Sequence, residues 1–405
     1  MSRPRYQTPW LPVRGGAPRL SFPRHRGTLE ADVVIVGGGA VGCLTAYLFV
    51  RAGHRTVLLE ADRLAGAASS GATGLIVPGT GGSFLEVRQR LGLRAARHVW
   101  EASRRAGLEL AALLRRLGIQ CGLVAREHLD VALESAPAAA LERDYRELTG
   151  ASLDASWLPA RRVRALLHLD GVALRVKGGA SLDPWRATIG VARHAQRHGA
   201  ALFERSPVTR IKRGKKTVEV VTDAGSVTAP QVVVATGLPR PGFRQLARHL
   251  SEVDEFAVQL PPLSAALRRA MAPTGVSVRK RADSPHTWHW TRDERLVFEG
   301  AAAPPVPARQ RDAALVQRTG QLMYELSCLY PDVSGTQAEY GWAARTVVTA
   351  DGLPVAGSHR NYPRHLFGVS PGAAGLGTAF LVAKTLLRQY EGAPEKGDEA
   401  LGFLR

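Results

Sequence analysis

Apolar and polar positions fall in short blocks along this chain, and the first regular block follows a proline-punctuated start. Met1 to Gly27 holds five prolines (Pro4, Pro9, Pro12, Pro18, Pro23) and no apolar run, which predicts an extended arm. Asp32-Val-Val-Ile-Val36 is short, apolar and β-branched, the pattern of a strand buried on both faces. Gly37-Gly-Gly-Ala-Val-Gly42 follows at once. A helical stretch from about Ala40 to Ala52 comes next, stopped at Gly53. Thr56-Val-Leu-Leu-Glu60 then reads as a second strand that ends in an acid.

The later pattern is less regular. Residues 84–117 read as helix, with Leu85, Val87, Leu91, Leu93, Leu108, Leu110, Leu113 and Leu114 at mixed three-to-four spacing. Residues 119–134 predict one or two strands and 136–149 another helix. Asp183 predicts an N-cap for a helix with Pro184 in its first turn, running to about His198 and halted by Gly199. Short strands are expected at 200–204, 207–212, 216–222 and 231–237, and further strands over 255–300. A helix is expected over 308–329. The last block, 340–392, combines strand-like pieces, a glycine-rich stretch from Ser370 to Gly377 and a closing helix to about Tyr390.

Composition narrows the function. With 405 residues, 45% apolar and 22% charged, the chain can bury a large core in two or three domains. No window holds about 18 uninterrupted apolar residues, so no membrane span is expected. The net charge of +19 raises the question of nucleic acid. Arginine outnumbers lysine 47 to 7, however, and is scattered through every segment; the one tight basic run, Ile211 to Lys216, reads as a hairpin turn. A solvated surface accounts for it better than a nucleic-acid site does. Cys43, Cys121 and Cys328 are odd in number and lack metal-ligand spacing, so no metal is expected. A reducing, cytoplasmic setting fits them.

The first block carries chemistry. Gly37, Gly39 and Gly42 form GxGxxG between a strand and a helix, and Glu60 closes the next strand. Gly37 suits the tight turn, Gly39 the close approach of a pyrophosphate, and Gly42 the packing of helix on sheet. The helix start offers unpaired N–H groups to phosphate. Glu60 suits the ribose hydroxyls of NAD or FAD and would repel a 2′-phosphate. The stretch Ala61 to Ile76, small and glycine-rich, cannot pack a core on its own but suits a backbone lying along an extended cofactor, which favours FAD.

On these residues the chain resembles the D-amino-acid-oxidase superfamily of FAD-dependent amine and amino-acid oxidoreductases, with members such as glycine oxidase, sarcosine oxidase and γ-glutamylputrescine oxidoreductase. ADVVIVGGGAVG with Glu60, AASSGATGLIVP (67–78), Val208 followed by VVVATG (232–237), GWAARTVVTADGLPVAG (341–357) and, less closely, HTWHWTRDERLVFEG (286–300) carry the resemblance, which covers the chain from about Phe22 onward. It implies an α/β fold: a Rossmann-type, GR2-like FAD-binding domain (28–90, 170–242 and 340–395) and an α+β substrate domain with an antiparallel sheet (91–169 and 243–339). It implies FAD contacts at Gly37, Gly39, Gly42, Glu60, Ala61, Arg63, Ala68, Ser69, Ser70, Thr73, Gly74, Leu75, Val208, Ala235, Thr236, Gly237, Gly372, Ala373, Gly375, Leu376 and Gly377.

The implied reaction is oxidation of a C–N bond in a small amine or amino acid by hydride transfer to flavin N5, giving an imine. Such chemistry requires no catalytic dyad, because the cofactor supplies the hard step. Arg345 and His289 are the candidate substrate residues, the first for a carboxylate, the second as one face of the alternating run His286, Trp288, His289 and Trp290. Tyr340 and Trp342 could cover the flavin or fill core. The chain departs from the family at Val369-Ser-Pro-Gly-Ala-Ala-Gly-Leu-Gly377, where members usually carry a Gly-His-Gly motif and this sequence has no histidine. That departure keeps open an alternative, an FAD-binding interaction subunit with lost or different activity.

Overall fold

The computed structural model describes residues 4–11, 21–237, 243–372 and 375–403. Three sheets organise it. The first grows from the opening strand Val33–Val36, whose four residues are all buried. That strand pairs in parallel with Thr56–Leu59 on one side and Gln231–Val234 on the other. Ala201–Phe203 extends one edge in parallel, Tyr362–Val369 the other, and Val355–His359 closes that edge antiparallel, giving six strands. Double burial follows from what covers the two faces. Helices Ala40–Arg51, Leu93–Arg116, Pro184–Arg197 and Gly375–Tyr390 pack over one face around Leu44, Phe49, Leu110, Val191 and Val382. On the other face lies a four-stranded sheet, Gly27–Glu30, Val208–Arg213, Val218–Thr222 and Gly225–Ala229, that packs Val218, Val220 and Val227 against Val34, Val57 and Val232.

The largest sheet orders Tyr340–Thr349, Leu250–Gln259, Leu296–Glu299, His286–Trp290, Val276–Lys280, Val124–Ala132, Val172–Ser181 and Leu75–Ile76, with Ser156–Leu158 added beside Val172–Ser181. It is antiparallel except where Val276–Lys280 meets Val124–Ala132. Its outer face is sealed by helices Ala160–Leu167 and Arg311–Leu329, around Trp288, Trp290, Phe256, Phe298 and Leu326. Its inner face looks toward the glycine-rich turn. Because side chains alternate across a strand, every second residue of these strands is committed to one face or the other.

Most expected elements are present, with local differences that have physical reasons. The long helix expected over 84–117 is two, Phe84–Leu91 and Leu93–Arg116, broken at Gly92, whose φ of +79° an α-helix does not use. The Asp183 cap forms as expected, its carboxylate accepting from the Arg186 N–H at 2.8 Å. Val172–Ser181 and Tyr340–Thr349, grouped above with the FAD-binding segments, pair into the large sheet, whereas Leu93–Arg116, grouped with the substrate segments, packs against Gly375–Tyr390 on the nucleotide side. Sequence order cannot reveal this exchange, since it is set by long-range pairing.

Candidate active site

A cavity of about 650 Å³ runs from the glycine-rich turn to the inner face of the large sheet. One end is walled by Glu60, Ala61, Val208 and Arg210, the middle by Gly37–Val41, Ala68 and Ser69, and the far end by Thr73, Leu75, Gly372, Gly375, Glu255, Glu299 and Thr346.

The turn is built tightly. A Cβ on Gly42 would lie 1.9 Å from the Gly37 carbonyl oxygen, so only glycine lets the helix start that close to the strand. A Cβ on Gly39 would meet nothing but the Ser69 hydroxyl at 3.3 Å, leaving an open approach to the backbone. Gly39 supplies no side-chain cap, and the Ala40 N–H donates to the Ser69 hydroxyl at 2.8 Å, so the helix start and the Ser69 hydroxyl together line the cavity where an anion would sit. Glu60 braces the turn: its carboxylate accepts from the Gly38 N–H at 2.6 Å and the Asp62 N–H at 2.9 Å. Each of its oxygens retains a lone pair for a ribose hydroxyl.

The stretch after Glu60 holds itself up only in part, through the turn Ala68–Gly71. Three of its carbonyls, at Ser70, Gly71 and Ala72, are satisfied by donors from elsewhere, as backbone groups away from water require. Trp10 Nε1 donates to the Ala72 carbonyl (2.9 Å), Trp342 Nε1 to Gly71 (2.8 Å) and the Thr8 hydroxyl to Ser70 (2.7 Å). Trp342 therefore fills space behind this stretch, and the arm is clamped on it, with Trp10 edge-on to Trp342.

Of the residues expected to touch FAD, Gly37, Gly39, Glu60, Ala61, Ala68, Ser69, Thr73, Gly74, Leu75, Val208, Ala235, Thr236, Gly237, Gly372, Gly375 and Leu376 line the cavity. Gly42, Arg63, Ser70 and Gly377 do not: Gly42 serves the turn, the Ser70 hydroxyl caps its own helical turn on Gly66 and Ala67, and Gly377 lets its helix meet Gly107. Ala373 lies outside the described residues.

Of the two substrate candidates, Arg345 lines the cavity and His289 does not. Arg345 stands directly opposite Asp254 in register. It gives that carboxylate two hydrogen bonds of 2.8 Å and a third, also 2.8 Å, to the Val306 carbonyl. Strand alternation puts Thr346, not the Arg345 guanidinium, on the inner face. Arg345 does line the cavity, but its guanidinium is occupied there as a structural clamp. His289 does not line the cavity; its ring is buried with neither nitrogen hydrogen-bonded. Burial, then the nearby Arg126 charge, pushes its pKa down to about 3, so it is neutral. His286 turns to the outer face, stacks on Phe298 and meets Glu325 of the covering helix at 2.9 Å. Trp288 and Trp290 are core.

What the inner face does present was not foreseen. Glu255 and Glu299 project from neighbouring antiparallel strands; Glu299 is paired with Ala257, two residues from Glu255. Burial pushes Glu255 up to about 7. Burial and then the Glu255 charge push Glu299 up to about 8. The Thr73 hydroxyl donates to Glu299 at 3.3 Å. The Thr346 hydroxyl approaches Glu255 without a hydrogen bond of ordinary geometry. Beyond them Arg279 is held by Asp130 through bonds of 2.6 and 2.8 Å, and His128, neutral through burial, lies 3.4 Å from the same carboxylate.

The fold and this cavity define a dinucleotide-binding oxidoreductase of the flavin type. Residues 32–389 match the DAO family, described as FAD dependent oxidoreductase, and the chain belongs to that family. It is therefore an FAD-dependent oxidoreductase of the amine- and amino-acid-oxidising class. Among curated relatives, the γ-glutamylputrescine oxidoreductase of Escherichia coli is 27% identical over 82% of this chain and 77% of its own length. The glycine oxidase of Bacillus licheniformis is 23% identical over 83% and 86%. Among solved structures, glycine oxidase from Geobacillus kaustophilus superposes with a TM-score of 0.74 at 22% identity, covering 91% of this chain and 96% of that one. L-amino acid deaminase from Proteus myxofaciens gives 0.74 at 15%, covering 95% of each. Nothing in these relatives favours a non-catalytic subunit.

Proposed function

We propose that this chain binds FAD along the whole cavity and oxidises a C–N bond of an amine or amino acid to an imine, which water hydrolyses. When bound, FAD supplies the hydride acceptor at N5. The supporting observation is the continuity of the cavity: the glycine-rich turn and the Glu255–Glu299 wall open into one space. Glu60 holds the adenosine ribose, with Val208 beside the adenine. The N–H groups at the start of Ala40–Arg51 hold the pyrophosphate. The clamped stretch Ala68 to Leu75 and the glycines at 372 and 375 flank the ring. Thr287, Glu299 and Thr346 form the wall over which a substrate carbon is positioned.

The expected domain assignment is proposed in amended form, with 172–181 and 340–349 joined to the substrate sheet and 93–116 to the nucleotide side. We further place the protein in the cytoplasm, consistent with three free cysteines, two of them buried. Among the described residues no helix is long and apolar enough to cross a membrane. The partner is a small molecule; no nucleic acid is invoked. Anaerobic mixing of the yellow protein with a panel of amines and amino acids tests the proposal. Bleaching by a member of the panel is expected, and bleaching by NADH alone would overturn it.

A further inference from the structure

The innermost wall of the cavity holds two carboxylates and no paired cation. Among the described residues neither Glu255 nor Glu299 takes part in an ion pair. The guanidiniums nearby are engaged elsewhere, Arg345 by Asp254 and Arg279 by Asp130. His128 is neutral. Both glutamates reach toward the cofactor end: Thr73 of the clamped stretch bonds Glu299, and a Cβ on Gly372 would come within 2.6 and 2.8 Å of the two Glu255 oxygens. Both are half-buried in the cavity wall, and a carboxylate pair taken even partly out of water without a cation costs free energy, so this wall suits something that arrives positive. A substrate carboxylate brought to the same place would be repelled and would find its usual guanidinium partner already engaged.

Resting on the reading of the site as one that oxidises a C–N bond, we propose that Glu255 and Glu299 are catalytic residues that receive the ammonium of a primary or secondary alkylamine bearing no carboxylate on its reacting carbon, and that one of them takes its proton. In that step an N–H bond of the ammonium breaks and an O–H bond on a glutamate Oε forms. The nitrogen keeps the electron pair, no electron changes hands, and the neutral amine needed for oxidation is produced in place. The raised affinity of the pair for protons suits it to that exchange near neutral pH. Gly372 belongs to the arrangement, because any side chain there would displace Glu255.

The test uses the FAD-loaded full chain and tert-butylamine, which carries an ammonium but no hydrogen on its α-carbon and so cannot be oxidised. Its binding is read by perturbation of the flavin spectrum and by calorimetry. Its carboxylate counterpart, pivalate, is the comparison. Tert-butylammonium is expected to bind and pivalate to bind at least tenfold more weakly. Glu299→Gln and Glu255→Gln, which keep shape and remove charge, are each expected to weaken tert-butylammonium binding at least tenfold and to abolish the acid limb of kcat/KM for propylamine between about pH 6 and 8. The wild-type comparison of the two probes stands even if a variant fails to fold. Preference for pivalate, or Gln variants that bind tert-butylammonium as well as wild type, would overturn the proposal. Alanine bleaching the flavin where propylamine does not would overturn it too while leaving C–N oxidation intact. Failure of every amine and amino acid to bleach, with tert-butylammonium still bound through the glutamates, would overturn the oxidation reading alone.

Discussion

Replacing Arg345 by methionine separates a clamp from a substrate grip. Asp254 is 7% exposed as a side chain and receives two guanidinium bonds and the Val306 N–H at 2.7 Å. Burial alone would raise its pKa, but the Arg345 bonds outweigh burial and hold it below the usual carboxylate range. Removing one partner of a fully buried pair costs about 3–5 kcal/mol, because the other charge is left behind. Arg345 keeps 31% of its side-chain surface exposed, so water can partly replace it, and a loss of roughly 2 kcal/mol is the better expectation. With about 2.1 cal/mol/K of unfolding entropy per residue, a chain of 405 residues should lose roughly 2–3 °C in Tm.

The pH dependence has a definite sign. A carboxylate whose folded pKa is depressed contributes stability above its unfolded value and loses it as pH falls through the folded one. The gap between wild type and Arg345→Met should therefore be full at pH 7 and narrow below about pH 4. Scanning calorimetry of the holoenzyme over that range measures it. If Arg345 gripped a substrate carboxylate instead, the variant would keep its Tm and lose carboxylate-ligand binding by about a hundredfold, the size expected for a lost charged bidentate contact of roughly 3 kcal/mol. An unchanged Tm together with such a loss would refute the clamp.

Gly42→Ala should purify with far less flavin than wild type, since its Cβ meets backbone at 1.9 Å with no flexible side chain to yield; a wild-type flavin-to-protein absorbance ratio would count against the turn as described. Glu60→Gln weakens two charged backbone bonds, each worth about 1.5–3 kcal/mol in full, and should raise the FAD Kd at least about tenfold by equilibrium dialysis. Asp130→Asn leaves Arg279 and Arg281 without their shared carboxylate, whose pKa they hold well below normal against the opposing effect of burial. Its stability loss, about 3–5 kcal/mol, should be complete at pH 7 and shrink only as pH falls below about 4 in urea titrations. Glu299→Gln should behave oppositely. A carboxylate with a raised folded pKa is stabilising while protonated, so wild-type stability should fall as pH rises from about 4.5 to 8 by up to about 1.4 kcal/mol per unit, and the variant's curve should be flatter.

The nucleotide half was legible because its signals are local. Strand, turn, helix and acid occur within a few dozen residues, and each glycine has a steric reason that survives without knowledge of the rest of the chain. The substrate wall was not, because its chemistry is carried by residues far apart in sequence. Glu255 and Glu299 meet only through the pairing of their strands, and each sits in a segment that reads as an ordinary strand. The histidines and tryptophans of 286–290 drew the reading instead, although size and hydrophobicity commit Trp288 and Trp290 to the core under the outer helices. A usable signal was nonetheless present. With Trp288 and Trp290 assigned to the core, a period of two sends Thr287 and His289 inward; likewise Leu296 and Phe298 outward send Glu299 inward, and Phe256 and Val258 outward send Glu255 inward. An acid alternating with large apolar neighbours on a strand cannot be a solvated edge when both faces are covered. It must face either a cavity, as Glu255 and Glu299 do, or a paired cation, as Asp254 does. The same alternation pairs Arg345 with Asp254 at the cavity's margin, so the residue type that suggests a carboxylate grip does serve a carboxylate, one of the protein's own.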